Sequence, residues 1–231
     1  PRLPALADSL PDAARLRLRR ASNRLPWSTA LSVLMAGRAW QHAGLFEHPP
    51  GDDGETAIVV GGHNIGQNYN FENYRQFQRD PDHLDVQFGL AGLDSDHAAV
   101  ASEAIGIRGP GYTVGGACAS GALALRAAFN EIRHGGVERV VVLAPVLDYS
   151  PLELHALALM QAVSQRGFND CPEQASRPFD RRREGFVPSR GGACLVLERA
   201  DLAVARGAEP LWDGLAVAAR SDASRQPSPQ V

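Results

Sequence analysis

The sequence contains no lysine, because all 23 of its Lys and Arg positions are arginine. No lysine of this chain can therefore take part in catalysis. The arginines form only two short runs, Arg15 to Arg20 and Arg181 to Arg183, and the net charge is −3. This balance argues against a nucleic-acid binder. No window approaches the roughly 20 apolar residues that a membrane span needs, so we predict no membrane partner.

Cysteine is also scarce. Only Cys118, Cys171 and Cys194 are present, and no pair has the C-x-x-C spacing of a metal or redox site. Because the number is odd and the chain has no apolar signal segment, we predict a reduced, cytoplasmic setting rather than a disulfide framework. Cys171 and Cys194 are expected to be structural. The chain starts at Pro1 rather than Met and ends in a loop-like stretch, so we expect a fragment.

The hydrophobic pattern predicts a mixture of helices and strands. Apolar residues recur at helical spacing from Trp27 to Trp40, as in a helix that covers a sheet. Glu55 to Gly61 is a short apolar run, typical of a strand buried on both faces of a parallel sheet. The stretch Gly61 to Asn70, rich in glycine and asparagine, is predicted to be a loop. Other predicted elements are a helix from Ser95 to Ile105, a helix from Pro151 to Val163, a long loop to Gly185, a strand from Ala193 to Glu198, a helix from Ala200 to Arg206 and a strand from Leu211 to Ala219.

The middle of the chain predicts one strand-helix-strand unit. A strand from Tyr112 to Val114 leads into a tight corner of small residues, a helix to about His134, a glycine stop, and a second strand from Val137 to Ala144. Such a crossover connects parallel strands in a right-handed sense. The chain is therefore of the α/β class.

Cys118 lies in the corner of this unit, within Gly115-Gly-Ala-Cys-Ala-Ser-Gly121. At the start of a helix, free backbone N–H groups and the positive end of the helix dipole favour an anion. One interpretation makes Cys118 a nucleophile whose own N–H stabilises an oxyanion. The other makes it a small apolar residue packed between helix and sheet. Ser120 is a rival nucleophile, but the G-x-S-x-G spacing fails because residue 118 is not glycine.

Two motifs, in this order, resemble those of the β-ketoacyl synthases. Gly116-Ala-Cys-Ala-Ser-Gly121 is similar to the nucleophile corner of that family. Ser176-Arg-Pro-Phe-Asp-Arg-Arg-Arg-Glu-Gly-Phe-Val-Pro188, which runs into the strand Gly191-Gly-Ala-Cys-Leu-Val-Leu-Glu198, is similar to its arginine-proline-phenylalanine-aspartate loop. The resemblance covers nearly the whole chain but only about the first half of a complete synthase, without the opening strand.

This resemblance implies a thiolase-like fold with α/β/α/β/α layers, of which the chain supplies mainly the N-terminal α/β/α half. Residues 1–210 would form that half, and residues 211–231 the truncated start of the C-terminal half. In this fold the strand that leads to the nucleophile pairs with its copy across a two-fold axis. Residues near Gly111 to Val114 are thus expected at the interface of a homodimer.

The resemblance also implies the chemistry. Cys118 is the catalytic nucleophile, and its backbone N–H belongs to the oxyanion hole. It takes an acyl group from the phosphopantetheine of an acyl carrier protein, and the enzyme then joins that group to a decarboxylated malonyl unit, with no cofactor or metal. The two catalytic histidines of the family, and a nearby lysine, belong to its C-terminal half, so for this protein they lie beyond Val231 or are absent. We expect His63 and His97 to have structural or surface roles.

A narrower resemblance leaves the reaction open. Gly61 to Tyr69, Asp94 to His97, Thr113 to Gly116 and Leu147 to Leu154 are similar to the stand-alone ketosynthase homologues of polyketide β-branching cassettes. Those usually carry serine in place of the cysteine and only decarboxylate malonyl-carrier to acetyl-carrier, so Cys118 departs from them. Where the wider family has a Gly-Glu-Gly turn, this chain has Ser189-Arg-Gly191, which removes an acidic side chain and any salt bridge that it makes.

Three hypotheses follow for the function. The first is a β-ketoacyl synthase of polyketide or fatty acid biosynthesis that is acylated on Cys118. The second is a malonyl-carrier decarboxylase that makes acetyl-carrier for a β-branching cassette. The third is a non-catalytic or split partner subunit, against which the intact Cys118 argues.

Overall fold

The computed structural model describes residues 12–21, 24–49, 51, 55–212 and 216–220. Its helices are α1 (Asp12–Ala21), α2 (Trp27–His42), α3 (Gln67–Arg79), α4 (Phe88–Ala91), α5 (Asp96–Ile105), α6 (Ser120–His134), α7 (Pro151–Leu159) and α8 (Ala200–Ala205). Its strands are β1 (Thr56–Gly61), β2 (Gly111–Val114), β3 (Arg139–Ala144) and β4 (Ala193–Glu198). Short 3-10 turns lie at Pro81–His83, Ala117–Ala119 and Pro172–Gln174.

The four strands form one sheet in the order β2-β1-β3-β4. β1 is parallel to both β2 and β3, and the crossover through α6 connects these two neighbours of β1. The predicted strand-helix-strand unit is therefore present. The prediction of a parallel sheet holds for these three strands and is wrong for β4, which runs antiparallel to β3. An apolar strand pattern indicates burial but carries no information on strand direction.

Helices cover both faces of the sheet. Every residue of β1 is buried. Ile58 and Val60 belong to the core on the side of α2 and α5, whereas Ala57 and Val59 belong to the core on the side of α6. This division follows from the alternation of side chains along a strand. The described chain is thus a three-layer α/β/α unit.

Three predicted elements differ in the structure. The loop predicted at Gly61 to Asn70 contains the first turn of α3. The only buried residue of this helix is Asn73, so the sequence lacks the apolar periodicity that would have indicated a helix. α7 ends at Leu159 rather than at Val163, because the chain turns at Gln161, where φ is 56°. The strand predicted at Leu211 to Ala219 is wrong for residues 211–212 and 216–219, which are irregular, and residues 213–215 lie outside the described residues.

Within the described ranges, no helix is long and apolar enough to span a membrane.

Glu198, the last residue of β4, connects three elements through ion pairs. Its carboxylate accepts a hydrogen bond from Arg139 Nε at 2.6 Å and pairs with Arg206 Nη2 at 2.7 Å. The side chains of Glu198 and Arg139 are only 7% and 10% exposed. Arg206 also donates to the Ala43 carbonyl at 2.8 Å, so the network reaches the segment after α2.

We expect Glu198→Ala to lower the free energy of unfolding by about 3 kcal/mol, because it leaves a buried guanidinium without its best partner. Denaturant titration of the two proteins measures this difference. Asp201→Ala is the matched control, since it removes an exposed ion pair with Arg199 and should leave stability nearly unchanged. Equal losses in both variants would contradict the prediction.

Candidate active site at the Cys118 corner

The predicted nucleophile occupies a short turn between strand and helix. β2 ends at Val114, the 3-10 turn Ala117–Ala119 follows, and α6 begins at Ser120. Cys118 is the middle residue of the turn, and it is exposed as a free thiol. It is therefore not packed between helix and sheet, the second interpretation that its sequence context allowed.

The hydroxyl of Ser120 is committed to the backbone of the turn. It accepts a hydrogen bond from the Gly116 N–H at 2.9 Å and donates one to the Ala117 carbonyl at 2.7 Å. The residue is only 5% exposed. Ser120 is thus placed as a structural group of the corner, and Cys118 is the accessible one.

Ala117 has an unusual backbone conformation. Its φ is +49°, in the left-handed region that costs a non-glycine residue about 1 kcal/mol. The N–H of the next residue, Cys118, donates no hydrogen bond to another described residue. A backbone N–H beside an exposed thiol is the donor that a thioester oxygen needs when it becomes negative.

Two glycines allow α6 to approach the sheet closely. A Cβ on Gly61, the last residue of β1, would lie 2.6 Å from the Ser120 carbonyl oxygen and 2.9 Å from Ala124 Cβ. A Cβ on Gly116 would overlap Leu123 Cδ1. The first turn of α6, and with it the cysteine, therefore lies directly against the end of the central strand.

The loop after β1 forms one wall of this corner. The Asp94 carboxylate accepts hydrogen bonds from the Asn64 N–H at 2.6 Å and the Ile65 N–H at 2.8 Å, where Asn64 has a φ of +52°. The held loop carries His63, whose Nδ1 lies 3.4 Å from the position that a Cβ on Gly115 would take. His63 is exposed beside the corner, although its sequence context gave it no special role.

Two titratable side chains near the start of α7 face the same region. Burial raises the pKa of Tyr149, and the charges of Glu153 and Cys118 raise it further. Burial also raises the pKa of Glu153, against a hydrogen bond from the Ser150 backbone and the charge of His63. The Tyr149 phenol therefore interacts electrostatically with the Cys118 thiol, and the Glu153 carboxyl with the His63 imidazole. The site is polar on this side.

Sequence reasoning missed Tyr149, Glu153 and Asp94. All three lie in segments that carry the narrower resemblance, and one also has a local signal, because Ser150-Pro-Leu-Glu153 has the spacing of a helix start with a capping serine. In the structure the Ser150 hydroxyl accepts the Glu153 N–H at 3.1 Å. Asp94 gave no such signal, since its partners lie about 30 residues away in a loop.

His97 is part of the core rather than of the site. It is 2% exposed, and its Nδ1 lies 2.8 Å from Ser32 Oγ. Burial lowers its pKa to about 4, against the charge of Asp94. The imidazole is therefore neutral at physiological pH and has a structural role.

The other two cysteines differ from Cys118. Cys171 is half-buried in a loop. Cys194 lies in β4, where burial raises the pKa of its thiol to about 12. A thiol that does not ionise near neutral pH is a poor nucleophile.

The arginine-proline-phenylalanine-aspartate loop is held by its own charges. The Arg177 guanidinium stacks over the Phe168 ring at 4.4 Å. The Asp180 carboxylate accepts the Arg182 N–H at 2.7 Å, and hydrogen bonds from Arg182 lower its pKa. Phe179, between them in sequence, is 98% exposed.

The segment after this loop docks on the chain that follows α7. The Glu184 carboxylate accepts the Gly167 N–H at 3.0 Å, and Val163 and Phe186 form a parallel β-bridge. A Cβ on Gly185 would collide with the Ala162 carbonyl. The motif is thus a structural unit of its own.

The expected loss of a salt bridge at Ser189 to Gly191 is only partly correct. Arg190 lies 4.0 Å from the Asp148 carboxylate and stacks over the Trp27 ring at 4.9 Å. An arginine has replaced the acidic side chain of the family, and it finds its partners on other elements.

A cavity of about 470 Å³ lies apart from this corner. It is lined by Met35, Arg38, Ala39, Gln41, His42, Gly192, Ala193 and Cys194. These residues belong to α2 and the start of β4, and none belongs to the Cys118 corner. Among the described residues, no group of three or more His, Cys, Asp or Glu side chains is placed to hold a metal ion.

Residues 12–203 match the family model of the beta-ketoacyl synthase N-terminal domain. The chain belongs to the beta-ketoacyl synthase family. It is 34% identical over 224 residues to the polyketide biosynthesis malonyl-ACP decarboxylase PksF of Bacillus subtilis (strain 168), a match that covers 96% of this chain and 52% of PksF. It is 35% identical over 127 residues to the chloroplastic 3-oxoacyl-acyl-carrier-protein synthase I of Arabidopsis thaliana, covering 55% of this chain and 26% of that one.

The fold of the chain is also that of the family. The crystal structure of a beta-ketoacyl synthase from Burkholderia phymatum STM815 matches with a TM-score of 0.70 and 24% identity, over 87% of this chain and 47% of that one. The predicted thiolase-like fold, with this chain as its N-terminal half, is thereby confirmed. The chain spans about half the length of PksF.

The low pKa of His97 predicts that this chain loses stability in mild acid. Above pH 6.5 the imidazole is neutral in both states. Below that value the unfolded chain binds a proton that the folded chain, with a pKa of about 4, does not, so stability falls between pH 6.5 and 4 by about 3 kcal/mol. Denaturant titrations across this range should show a steeper loss for the wild type than for His97→Gln. Parallel pH dependences in the two proteins would contradict the assignment.

Proposed function

We propose that this chain carries the acyl-accepting half of a β-ketoacyl synthase. The observation that carries the proposal is the exposed Cys118 thiol, placed by a left-handed Ala117 on the first turn before α6, with a backbone N–H that no other described residue accepts. The proposal is supported by relatives named as a polyketide malonyl-ACP decarboxylase and as a 3-oxoacyl-acyl-carrier-protein synthase, which are 34% and 35% identical to this chain over the matched residues.

In the proposed reaction, the Cys118 thiolate attacks the carbonyl carbon of an acyl thioester on the phosphopantetheine of an acyl carrier protein. The carbonyl oxygen becomes negative and accepts the Cys118 N–H. Collapse of this intermediate expels the thiol of the carrier and leaves the acyl group on sulfur. A malonyl-carrier then loses carbon dioxide, and the resulting enolate attacks the acyl carbonyl and releases the Cys118 thiolate. The chain's residues need no cofactor for these steps.

A second candidate is decarboxylation alone. The match to PksF, named a malonyl-ACP decarboxylase, covers nearly the whole chain and favours this candidate. In that reaction the enolate takes a proton instead of an acyl group, so acetyl-carrier is the product and the thiol is not acylated. A non-catalytic partner subunit is the weakest candidate, since it has no use for an exposed thiol in this position. A cytoplasmic setting belongs to the same proposal.

Incubation of the complete protein with acetyl-carrier should give an acyl adduct on Cys118, detected by intact-protein and peptide mass spectrometry. Cys118→Ala should form no adduct, because no nucleophile remains at the corner. A Cys171→Ala variant is the matched control and should acylate like the wild type. Acetyl-carrier made from malonyl-carrier without any adduct on Cys118 would overturn condensation in favour of decarboxylation.

We also propose that the protein is a homodimer that pairs through β2. This strand is at an edge of the sheet and is hydrogen-bonded only to β1 among the described strands. The carbonyls of Pro110 and Val114 accept the N–H groups of Ile58 in β1 and of Gly62 just after it. The backbone of Gly111 and Thr113 therefore points to the outer side, by the alternation of a strand. An exposed backbone edge is a template for another strand.

Thr113→Pro removes one outward N–H and should shift the complete protein from dimer to monomer in sedimentation velocity. Thr113→Val keeps that N–H, and it is expected to remain dimeric. A monomeric wild type at the same concentration, or a Thr113→Pro variant that stays dimeric, would count against pairing through β2.

A further inference from the structure

The residues of the turn that carries Cys118 form few hydrogen bonds that could stabilise its conformation. Its neighbours Gly115, Gly116, Ala117 and Ala119 have no side chain that can form a hydrogen bond. The Ala119 N–H bonds to the Gly116 carbonyl at 3.0 Å, but the start of α6 has no side-chain cap. The backbone conformation of the turn must therefore be fixed from outside these residues.

Ser120 supplies that fixation. Its hydroxyl accepts a hydrogen bond from the Gly116 N–H and donates one to the Ala117 carbonyl, and these are the two residues before Cys118. Ser120 itself is the first residue after the turn. These two hydrogen bonds therefore connect the backbone before Cys118 to the residue that follows the turn. Because the residue is buried, water does not compete well for these two bonds. Its position is fixed in turn by the contact of its carbonyl with Gly61 on β1.

The bond to the Ala117 carbonyl matters most. An alanine prefers the right-handed region, and a φ of +49° persists only when its surroundings enforce it. If Ala117 relaxed, the peptide between it and Cys118 would rotate, and the N–H of Cys118 would turn away from the thiol. The thiol itself would stay exposed.

We propose that Ser120 is a positioning residue for acyl transfer. Its hydroxyl holds Ala117 in the left-handed region and so keeps the Cys118 N–H and the Cys118 thiol on one side of the turn. The inference rests on the proposed function of Cys118. The proposal predicts different effects on two properties of Cys118. Reactivity of the thiol toward a small alkylating agent needs exposure alone, whereas acyl transfer also needs the aligned N–H.

The test compares Ser120→Ala with Ser120→Thr, which keeps the hydroxyl, in the complete protein. Single-turnover transfer from acetyl-carrier to Cys118 should slow by about tenfold to a hundredfold in Ser120→Ala and by much less in Ser120→Thr. The KM for the carrier should stay the same, because no surface residue has changed. Alkylation of Cys118 by iodoacetamide should also proceed at nearly the wild-type rate in both variants.

Ser32→Ala is the control for a loss of stability alone. Ser32 is also buried, and its hydroxyl bonds to the Ser28 carbonyl at 3.2 Å and contacts His97. This variant should lose stability without slowing acyl transfer. If Ser120→Ala is too unstable to assay, Ala117→Gly is introduced into it, because glycine adopts the left-handed region freely. The double variant should then transfer acyl groups at a rate close to that of the Ala117→Gly single variant.

The outcomes distinguish the two levels of the proposal. A wild type that takes no acyl group on Cys118 overturns the proposed function, and this inference falls with it. A wild type that is acylated while Ser120→Ala transfers at the same rate overturns only the positioning role. Equal loss of alkylation and acylation in Ser120→Ala also overturns it, because that result indicates a collapsed corner rather than a misaligned N–H.

Discussion

The close contact between the end of β1 and the first turn of α6 determines the geometry of the site. Gly61 has no side chain, so the Ser120 carbonyl oxygen can lie only 2.6 Å from the position that a Cβ would take. Since β1 is the central, fully buried strand, it cannot shift without disturbing the core on both faces. The turn with Cys118 is therefore attached to a fully buried strand, which suits the proposed nucleophile, because a nucleophile must meet a carbonyl in one orientation.

The same strand also organises the wall opposite the cysteine. The chain leaves β1 through the loop that carries His63, and the Asp94 carboxylate fixes that loop by two backbone hydrogen bonds. The Thr113 hydroxyl, on β2, donates to the Asp94 carbonyl at 3.3 Å. One aspartate thus connects the ends of the two neighbouring strands from which both sides of the site emerge. This arrangement follows from parallel strands, whose carboxyl ends meet at one edge of the sheet.

The sequence predicted the features that depend on hydrophobic pattern and glycine. The buried strand at Glu55 to Gly61 and the crossover around Cys118 follow from local composition, which left open whether the cysteine is exposed. The pattern did not predict α3, because this helix buries only Asn73. It also could not reveal Ala117, since a left-handed alanine contradicts local preference and is enforced by a contact with Ser120. Ion pairs such as Arg139 with Glu198 join residues far apart in the chain, and no periodic signal marks them.

Condensation and decarboxylation require different chemical groups at the Cys118 corner. Both need a donor for a thioester oxygen that becomes negative, and the Cys118 N–H can serve in either reaction. Only condensation needs a group that stores an acyl chain between two steps, and a thiolate does this better than a hydroxyl because it is the stronger nucleophile near neutral pH. The buried hydroxyl of Ser120, already bonded to the backbone, does not compete for that task. The side chain at position 118 therefore decides whether this backbone geometry can serve decarboxylation alone or condensation as well.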